Sequence, residues 1–202
     1  MDDDDDDDDG DDDLPPQVHD DMPTQVYNNN DDMPYLSTVL VNPVLQAAPG
    51  ASLLYDFSPQ TEVTISLGHP LFPLVTEAAT DPPFPSLTVI CPPLDRSFVI
   101  PPQSSEPDAV VTVLDVLRGL HGWLQLRIRR DNYLALLPNA QLKVCAAYEA
   151  RCARILDPAA QAAERQDGVK CVDLLLGLHV FAGLSRTVHG PDIFELHLCS
   201  GC

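Results

Sequence analysis

Apolar and polar residues alternate with the period of a β-strand in the first half of the chain. The segment TEVTISL places Val63, Ile65 and Leu67 on one side, as in a half-buried strand. Two further apolar, β-rich runs, Ser86–Cys91 and Arg96–Pro101, are separated only by Pro-Pro-Leu-Asp. Two short apolar runs joined by a proline-rich turn predict a β-hairpin.

The apolar period becomes helical after Asp108. Thr112 and Asp115 have the spacing of a capping box, in which a threonine oxygen and an acidic side chain satisfy free amides at a helix start. Behind them, the apolar residues with helical spacing are Val113, Val116, Leu117, Leu120, Trp123 and Leu124. A short helical turn is predicted at Asp131–Leu137 and a longer helix from about Asn139 to Ile155. The predicted apolar stripe of that longer helix is Leu142, Cys145, Tyr148, Cys152 and Ile155.

The pattern of the last third predicts a return to extended structure. Asp157–Gly168 is predicted to be a loop, and Val169–Leu176, an apolar run of strand length, to be a buried strand that breaks at Gly177. HVFAGLS gives a second extended piece, and Ile193–Cys199 alternates as a terminal strand. Strands, then two main helices, then strands predict an α+β fold with an antiparallel or mixed sheet and the helices on one face.

Charge divides the chain into two parts. Residues 1–95 contain 20 acidic residues and no lysine or arginine. Residues 96–202 contain 11 acidic residues and 11 basic residues, counting lysine and arginine together. The first 34 residues include the run Asp2–Asp9 and offer too little apolar surface to compensate for the entropy of ordering. We therefore expect a disordered Asp-rich tail at 1–34 and a single α+β domain at 35–202.

The acidic balance limits the classes of partner. Nucleic acid phosphates and anionic membranes would be repelled at long range, so neither is an expected partner. No stretch approaches the roughly 18–20 consecutive apolar residues of a membrane span. The start MDDDDDDDDG lacks the basic and apolar regions of a signal peptide. The sequence predicts an intracellular protein, in the cytoplasm or nucleus, whose six cysteines are reduced thiols.

Several motifs, in a fixed order, resemble a known family. They run from about Asn42 to Leu198 and read NPVL, LLYDFS, PPFPSLTVICPPL, VTVLDVLRGL, AAYEARC, GVKCVDLLLG, FAGLS and FELHL. In this order they resemble a domain of unknown function that is expanded in mushroom-forming basidiomycete fungi. The resemblance implies a common fold and carries no established activity. Many members have Leu-Pro-Trp-Pro where this chain has Leu94-Asp95-Arg96-Ser97, so a surface built on that tryptophan would be missing here.

Asp173 is the candidate for catalysis, because it is a carboxylate within an apolar run. It would act as a general acid or base with a neighbour such as Arg96 or His179. The simpler interpretation is a partly buried aspartate that pairs with an arginine or with backbone amides. A catalytic pair of Cys171 and His179 has no supporting motif. The chain contains no P-loop, Rossmann glycine pattern, nucleophile elbow or HExxH motif, so no cofactor is predicted.

The C-terminal residues contain half of a zinc-site pattern. Cys199 and Cys202 form a Cys-x-x-Cys pair that His197 precedes, and a complete site would need further ligands such as Cys171. A metal site and an adventitious disulfide are both compatible with this pair. Cys145 and Cys152, on the predicted helix stripe, are expected to be buried thiols that act as small hydrophobes.

A basic cluster complements the Asp-rich tail in charge. Arg127, Arg129 and Arg130 are close in sequence, and Lys143, Arg151 and Arg154 follow. The tail is expected to be a solvating segment, to shield this cluster or to dock a basic partner protein. The leading hypothesis is a non-catalytic protein-interaction module. The alternatives are an enzyme with a pocket around Asp173 and a small metal-binding protein that uses His197, Cys199 and Cys202.

Overall fold

The computed structural model describes residues 39–47, 53, 55–58 and 72–200. The predicted tail at 1–34, the predicted strand at 61–67 and Cys202 lie outside these residues. None of the helices in the described part is long and apolar enough to cross a membrane. The described strands are β1 (Leu40–Val41), β2 (Tyr55–Asp56), β3 (Thr80–Asp81), β4 (Leu87–Cys91), β5 (Arg96–Ile100), β6 (Val180–Arg186) and β7 (Ile193–Cys199).

Along the chain, most of the helices come after the hairpin β4–β5 and before the strands β6 and β7. They are α1 (Phe72–Val75), α2 (Val113–Leu124), α3 (Arg130–Leu134), α4 (Pro138–Ala153) and α5 (Pro158–Asp167). Two 3₁₀ turns, Pro92–Leu94 and Cys171–Leu175, complete the described elements. Helix α2 contacts β5, whereas α4 contacts the Cys171–Leu175 turn and α5.

Five strands form one mixed sheet in the order β2-β6-β7-β4-β5. β4 and β7 pair in parallel and the other neighbours are antiparallel. β1 and β3 form a separate antiparallel pair. The α+β class and the mixed sheet are therefore confirmed.

The predicted hairpin is formed by β4 and β5. Its register pairs Leu87 with Ile100 and Cys91 with Arg96. The turn between the strands ends at Asp95, whose φ of 48° is left-handed. Leu87, Val89 and Cys91 alternate inward along β4, as the sequence period predicts.

Helix α2 begins at the predicted capping box. Thr112 Oγ1 accepts a hydrogen bond from the Asp115 amide at 3.2 Å, and Asp115 Oδ2 accepts one from the Thr112 amide at 2.9 Å. Gly119, in the middle of this helix, allows close packing against β5, since a Cβ at this position would be 3.0 Å from Cγ2 of Ile100. The buried side of α2 and the inner face of the sheet form the apolar core, whose largest fully buried side chains include Phe57, Phe181, Phe194, Leu117, Leu120 and Leu124.

The loop prediction for Asp157–Gly168 is wrong, because this segment contains α5. Asp157 caps the helix by accepting hydrogen bonds from the amides of Ala159 and Ala160, and Pro158 occupies the first helical position. Only Glu164 of α5 is buried. The segment therefore has no apolar stripe, and the search for periodic apolar residues missed it.

The predicted strand Val169–Leu176 is also wrong. Residues Cys171–Leu175 form a 3₁₀ turn that ends at Leu176 in a left-handed conformation, with φ of 52°. Cys171, Val172 and Leu175 are buried without joining the sheet. The Lys170 amide at the start of the turn donates a hydrogen bond to Asp173 Oδ2 at 2.9 Å. The next extended piece does pair, as β6. Gly183, with φ of 121°, lies so close to Ala47 that a Cβ would clash with the backbone.

Helix α4 confirms the predicted helix, but its buried face differs from the predicted stripe. Its buried residues are Val144, Arg151 and Cys152, whereas Leu142 and Cys145 are exposed. The apolar spacing therefore identified the helix and misassigned its face. One of the buried positions of α4 is occupied by Arg151, whereas an argument from hydrophobicity would place an arginine at the surface.

Candidate functional site

The carboxylate of Asp173 lies at the start of the Cys171–Leu175 turn and is almost fully buried, at 2% exposure. Arg151 Nε donates a hydrogen bond to Oδ1 at 2.8 Å, and Arg151 Nη2 donates one to Oδ2 at 2.9 Å. The Lys170 amide donates a third hydrogen bond, to Oδ2, at 2.9 Å. Both oxygens of the candidate catalytic residue are thus occupied within the protein.

Asp173 belongs to a buried charge cluster, which we call the tetrad: Arg151, Glu164, Lys170 and Asp173. Arg151 also donates through Nη1 to Glu164 Oε1, and Lys170 Nζ donates to the same oxygen at 2.6 Å. The Gly168 carbonyl accepts another hydrogen bond from Arg151 at 3.1 Å. Within the tetrad two cations balance two carboxylates and join α4, α5 and the Cys171–Leu175 turn. A further carboxylate, the half-exposed Asp167, lies 3.5 Å from Lys170 Nζ.

Burial and charge act differently on the two cations of the tetrad. Burial disfavours the charge of Arg151, but the hydrogen bonds and the charge of Asp173 outweigh it and raise the pKa of Arg151. Burial lowers the pKa of Lys170, and the charge of Arg151 lowers it further, while nearby carboxylates oppose that shift. Arg151 is therefore the permanent charge around which the cluster is built.

A cavity of about 540 Å³, which we call the α4 cavity, opens beside the tetrad. Alanines on α4 leave the space, and polar side chains surround it. The residues that line it are Ser58, Lys143, Ala146, Ala147, Ala150, Arg151, Arg154, Val172, Asp173, Leu176, Gly177 and His179. The enzyme alternative requires a pocket around Asp173, and Asp173 does line this cavity, although its carboxylate is already paired.

His179 lines the same cavity as Asp173, whereas Arg96, the other predicted neighbour, does not. Arg154 Nη1 lies 3.2 Å from His179 Nε2 and donates to Ser58 Oγ at 3.0 Å. Asp56 lies 3.7 Å from His179 Nε2. The polar wall of the α4 cavity is thus a hydrogen-bonded group of Ser58, Arg154 and His179.

The metal candidates are not brought together in the described residues. His197 and Cys199 are two residues apart on one face of β7, and His197 Nε2 is 2.7 Å from Ser185 Oγ. Cys171 lies in the 3₁₀ turn. Among the residues that the structure describes, no group of three or more His, Cys, Asp or Glu side chains could hold a metal ion. The metal hypothesis, which needs Cys202, stays a prediction.

The cysteines of the described part are free thiols in contrasting environments. Cys152 is buried, as predicted, but Cys145 is exposed. Burial raises the pKa of Cys91 to about 11 and also raises the pKa of Cys171. A catalytic thiol needs the opposite shift, so these environments disfavour Cys171 as a nucleophile.

The basic residues that the sequence analysis grouped as a cluster do not all lie on the surface. Arg127, Arg129, Arg130 and Lys143 are exposed, whereas Arg151 is buried in the tetrad. Sequence reasoning missed Glu164 and Lys170 as partners of Asp173. A signal existed in Lys170, a second charge three residues before Asp173 in an apolar run.

Comparison with known proteins gives a family and no activity. No curated protein and no solved structure matches the chain. Residues 53–192, more than half of the chain, match a family described as a family of unknown function, DUF6699. This range covers the described residues from Leu53 through β6, including the tetrad and both sides of the α4 cavity. The chain belongs to the DUF6699 family.

Proposed function

We propose that this protein is a non-catalytic protein-interaction module. The observation that carries the proposal is that Asp173 is buried and fully hydrogen-bonded. It is 2% exposed, and its two carboxylate oxygens accept three hydrogen bonds from Arg151 and Lys170. A general acid or base must reach a proton of its substrate. Asp173 would have to break its bidentate pair to do so, and this supports a structural role.

Exposed leucines supply a surface on which a partner can pack. Leu134, Leu137 and Leu142, here called the leucine surface, are 55%, 77% and 70% exposed around the junction of α3 and α4. The Gln141 side chain donates hydrogen bonds to the carbonyls of Leu134 and Leu136, which fixes this junction. Large apolar side chains that remain in water near one another in sequence favour association with another protein.

The test is a reconstituted complex. Partners captured by the full-length chain are purified and their affinity is measured by calorimetry. We expect the double substitution Leu137→Ser and Leu142→Ser to weaken binding at least tenfold, because truncation of central apolar contacts is costly. Leu156→Ser, at a leucine that is 94% exposed and outside the surface, is the matched control. A reconstituted complex that both variants bind equally well would overturn the proposed surface.

We further propose that the Asp-rich segment recruits a basic protein partner. The charge imbalance supports it, since residues 1–95 contain 20 acidic residues and no lysine or arginine. Replacing Asp2–Asp9 with asparagine should weaken binding to a lysine-rich probe polypeptide and reduce its salt dependence. Replacement with glutamate keeps the charge and should leave the affinity unchanged. Equal binding by the asparagine variant would exclude this role.

An enzyme is the second candidate, and the α4 cavity favours it. Asp173, Arg151 and His179 line one cavity of about 540 Å³, a volume typical of small-molecule sites. Screening the full-length chain against hydrolase and transferase substrates tests this candidate. His179→Gln leaves the tetrad intact and should abolish any turnover that depends on the cavity. Turnover that persists in this variant would rule the cavity out as its source.

The cellular setting is part of the same proposal. Cys91, Cys152 and Cys171 are buried free thiols, which supports a reducing compartment such as the cytoplasm or nucleus. The order of the family motifs supports a basidiomycete fungal origin. Imaging of the tagged full-length protein in such a fungus tests the location, and secretion into the medium would contradict it.

A further inference from the structure

A second cavity lies on the other side of the Cys171–Leu175 turn, between the end of α2, the start of α3 and the hairpin turn. We call it the Trp123 cavity, and its volume is about 300 Å³. Its basic residues are Arg96, Arg127 and Arg129, and its apolar wall includes Trp123, Leu126 and Leu174. It shares no lining residue with the α4 cavity.

Three arginines converge on this cavity without a carboxylate. Arg96 begins β5, Arg127 lies between α2 and α3, and Arg129 immediately precedes α3. The residues that line the cavity include no aspartate or glutamate. None of the three arginines forms an ion pair with a carboxylate in the described part of the chain. The concentration of positive charge is therefore uncompensated there, unlike the balanced tetrad.

The backbone position of one of these arginines, Arg127, is fixed by its neighbours. The Cys171 amide donates to the Leu126 carbonyl at 2.9 Å, and the Ile128 amide donates to the Val169 carbonyl at 3.0 Å. These two bonds bracket Arg127, so its Cα is set by the chain that leads into the 3₁₀ turn. A site whose donors are positioned in advance loses less entropy when a ligand binds.

The apolar wall is equally well positioned. The Trp123 ring stacks on Phe98 with centroids 4.5 Å apart and planes 14° from parallel. Trp123 thereby holds one side of the cavity, next to Leu126 and Leu174. Apolar walls reduce the local dielectric constant and so strengthen the attraction between an arginine and an anion.

We propose that the Trp123 cavity binds a phosphate monoester attached to a small apolar or aromatic group. A guanidinium donates paired hydrogen bonds that match phosphate oxygens, and three of them suit a dianion. The apolar wall would contact the organic part. A volume of about 300 Å³ is at the lower end of the range for small-molecule sites and suits a ligand of this size. The chemistry is shared by a phosphotyrosine side chain of a partner protein and by a free organic phosphate.

Phenyl phosphate is the first probe, because it combines an aromatic ring with a phosphate monoester. The chain contains a single tryptophan, so the fluorescence of Trp123 reports on this cavity directly. We expect a saturable change in fluorescence, confirmed by calorimetry on the full-length protein. Phenol should bind at least tenfold more weakly than phenyl phosphate, since it lacks the charged group. No saturable binding of phenyl phosphate would overturn the proposal.

Matched arginine variants separate a defined site from general surface charge. Arg127→Gln and Arg96→Gln should each weaken phenyl phosphate binding about tenfold, because each removes a charged donor from the cavity. Arg130→Gln removes the same charge from an exposed arginine that does not line the cavity and should change affinity less than twofold. Equal losses in all three variants would mean that net charge attracts the probe, and the site would be rejected. Circular dichroism verifies that each variant is folded.

The two sources of the phosphate group are distinguished by a second pair of probes. An alanine-flanked phosphotyrosine pentapeptide that binds at least tenfold more tightly than phenyl phosphate supports the site with a protein partner as the source. Equal affinities support the site with a free organic phosphate as the source. Failure of both probes overturns the site itself and leaves the proposal of an interaction module to its own test at the leucine surface.

Discussion

The apolar core and the tetrad are two regions of equal burial that are held together in different ways. Phe57 and Phe181 in the core are fully buried, and the four tetrad residues are 1–3% exposed. Core contacts are non-directional and depend mainly on volume. Tetrad contacts are directional and depend on charge balance, because Arg151 serves both Asp173 and Glu164. The core should therefore tolerate conservative exchange, whereas each tetrad member requires the others.

The largest expected effect is the loss of the central cation of the tetrad. Arg151→Met leaves Asp173 and Glu164 buried with only Lys170 to balance them. We expect the free energy of unfolding to fall by about 3–5 kcal/mol, since breaking a buried pair leaves an uncompensated charge. Urea unfolding followed by circular dichroism measures the change.

An exposed arginine provides the control for this substitution. Arg165 forms an ion pair with Glu149 at 2.9 Å, and both side chains are close to half exposed. Arg165→Gln should cost less than about 1 kcal/mol. Similar losses in the two variants would mean that the tetrad is no more than a solvated ion pair, and the comparison with the core would fail.

Truncation in the core is the next largest effect. Leu120→Ala should lower the free energy of unfolding by about 2–5 kcal/mol through lost burial and a residual cavity. Leu120→Met nearly conserves volume and should cost under about 1.5 kcal/mol. The same urea titrations apply. If methionine proves as damaging as alanine, the core is as specific as the tetrad and the contrast disappears.

Cys91, the buried thiol beside the hairpin turn, gives the core a dependence on pH. Burial raises the pKa of Cys91 to about 11 from its ordinary 9.0, because a neutral thiol suits the apolar core. The unfolded chain then loses this proton first, so stability is complete below pH 9 and falls as pH rises from 9 to 11. Cys91 should contribute about 1.4 kcal/mol per pH unit to this slope. Cys91→Val should remove that contribution and leave the part that comes from Cys171, whose pKa is also raised by burial.

Cys145, an exposed thiol on α4, is the control for this pH dependence. Cys145→Val should retain the full alkaline slope of the unmodified chain in urea titrations between pH 8 and 11. A slope in Cys91→Val as steep as that of the unmodified chain would assign the alkaline loss to another group.

The smallest expected effect concerns the start of α2. Thr112→Ala removes the side chain that accepts from the Asp115 amide and should cost about 1 kcal/mol. Thr112→Ser retains the hydroxyl and should cost little. Thermal unfolding of the two variants measures the difference, and equal melting temperatures would show that the capping box contributes nothing measurable.

Elements with local signals were predictable from the sequence. The hairpin β4–β5 follows from two apolar runs and a proline turn, and α2 follows from Thr112, Asp115 and the helical spacing behind them. Strand β7 coincides with the predicted Ile193–Cys199. Each of these signals concerns residues that are close in sequence, so tertiary contacts are not needed to interpret them.

The candidate site was predictable only in part. The sequence offers two interpretations of Asp173: a general acid or base, and a partly buried aspartate that pairs with an arginine or with backbone amides. The structure matches the second and supplies Arg151 as the partner. The sequence predicted a face of α4 that only partly coincides with the buried one, sharing Cys152 but missing Arg151, and it predicted a loop for α5. The reason is that a buried arginine and a polar helix do not follow the apolar period. Glu164, which accepts from both tetrad cations, was missed for the same reason.

The α+β class, the capped helix, the hairpin and the terminal strand follow from local periodicity and turn chemistry, which are present in the sequence. Which charges come into contact depends on the folded arrangement of distant segments. Arg151 and Asp173 are separated by 22 residues, and Arg96 and Arg127 reach one cavity from two different elements. Folding brings together charged residues that are far apart in the sequence, and their spacing along the chain does not indicate which of them will meet. The same residue types therefore form a balanced tetrad in one place and an uncompensated basic cavity in another.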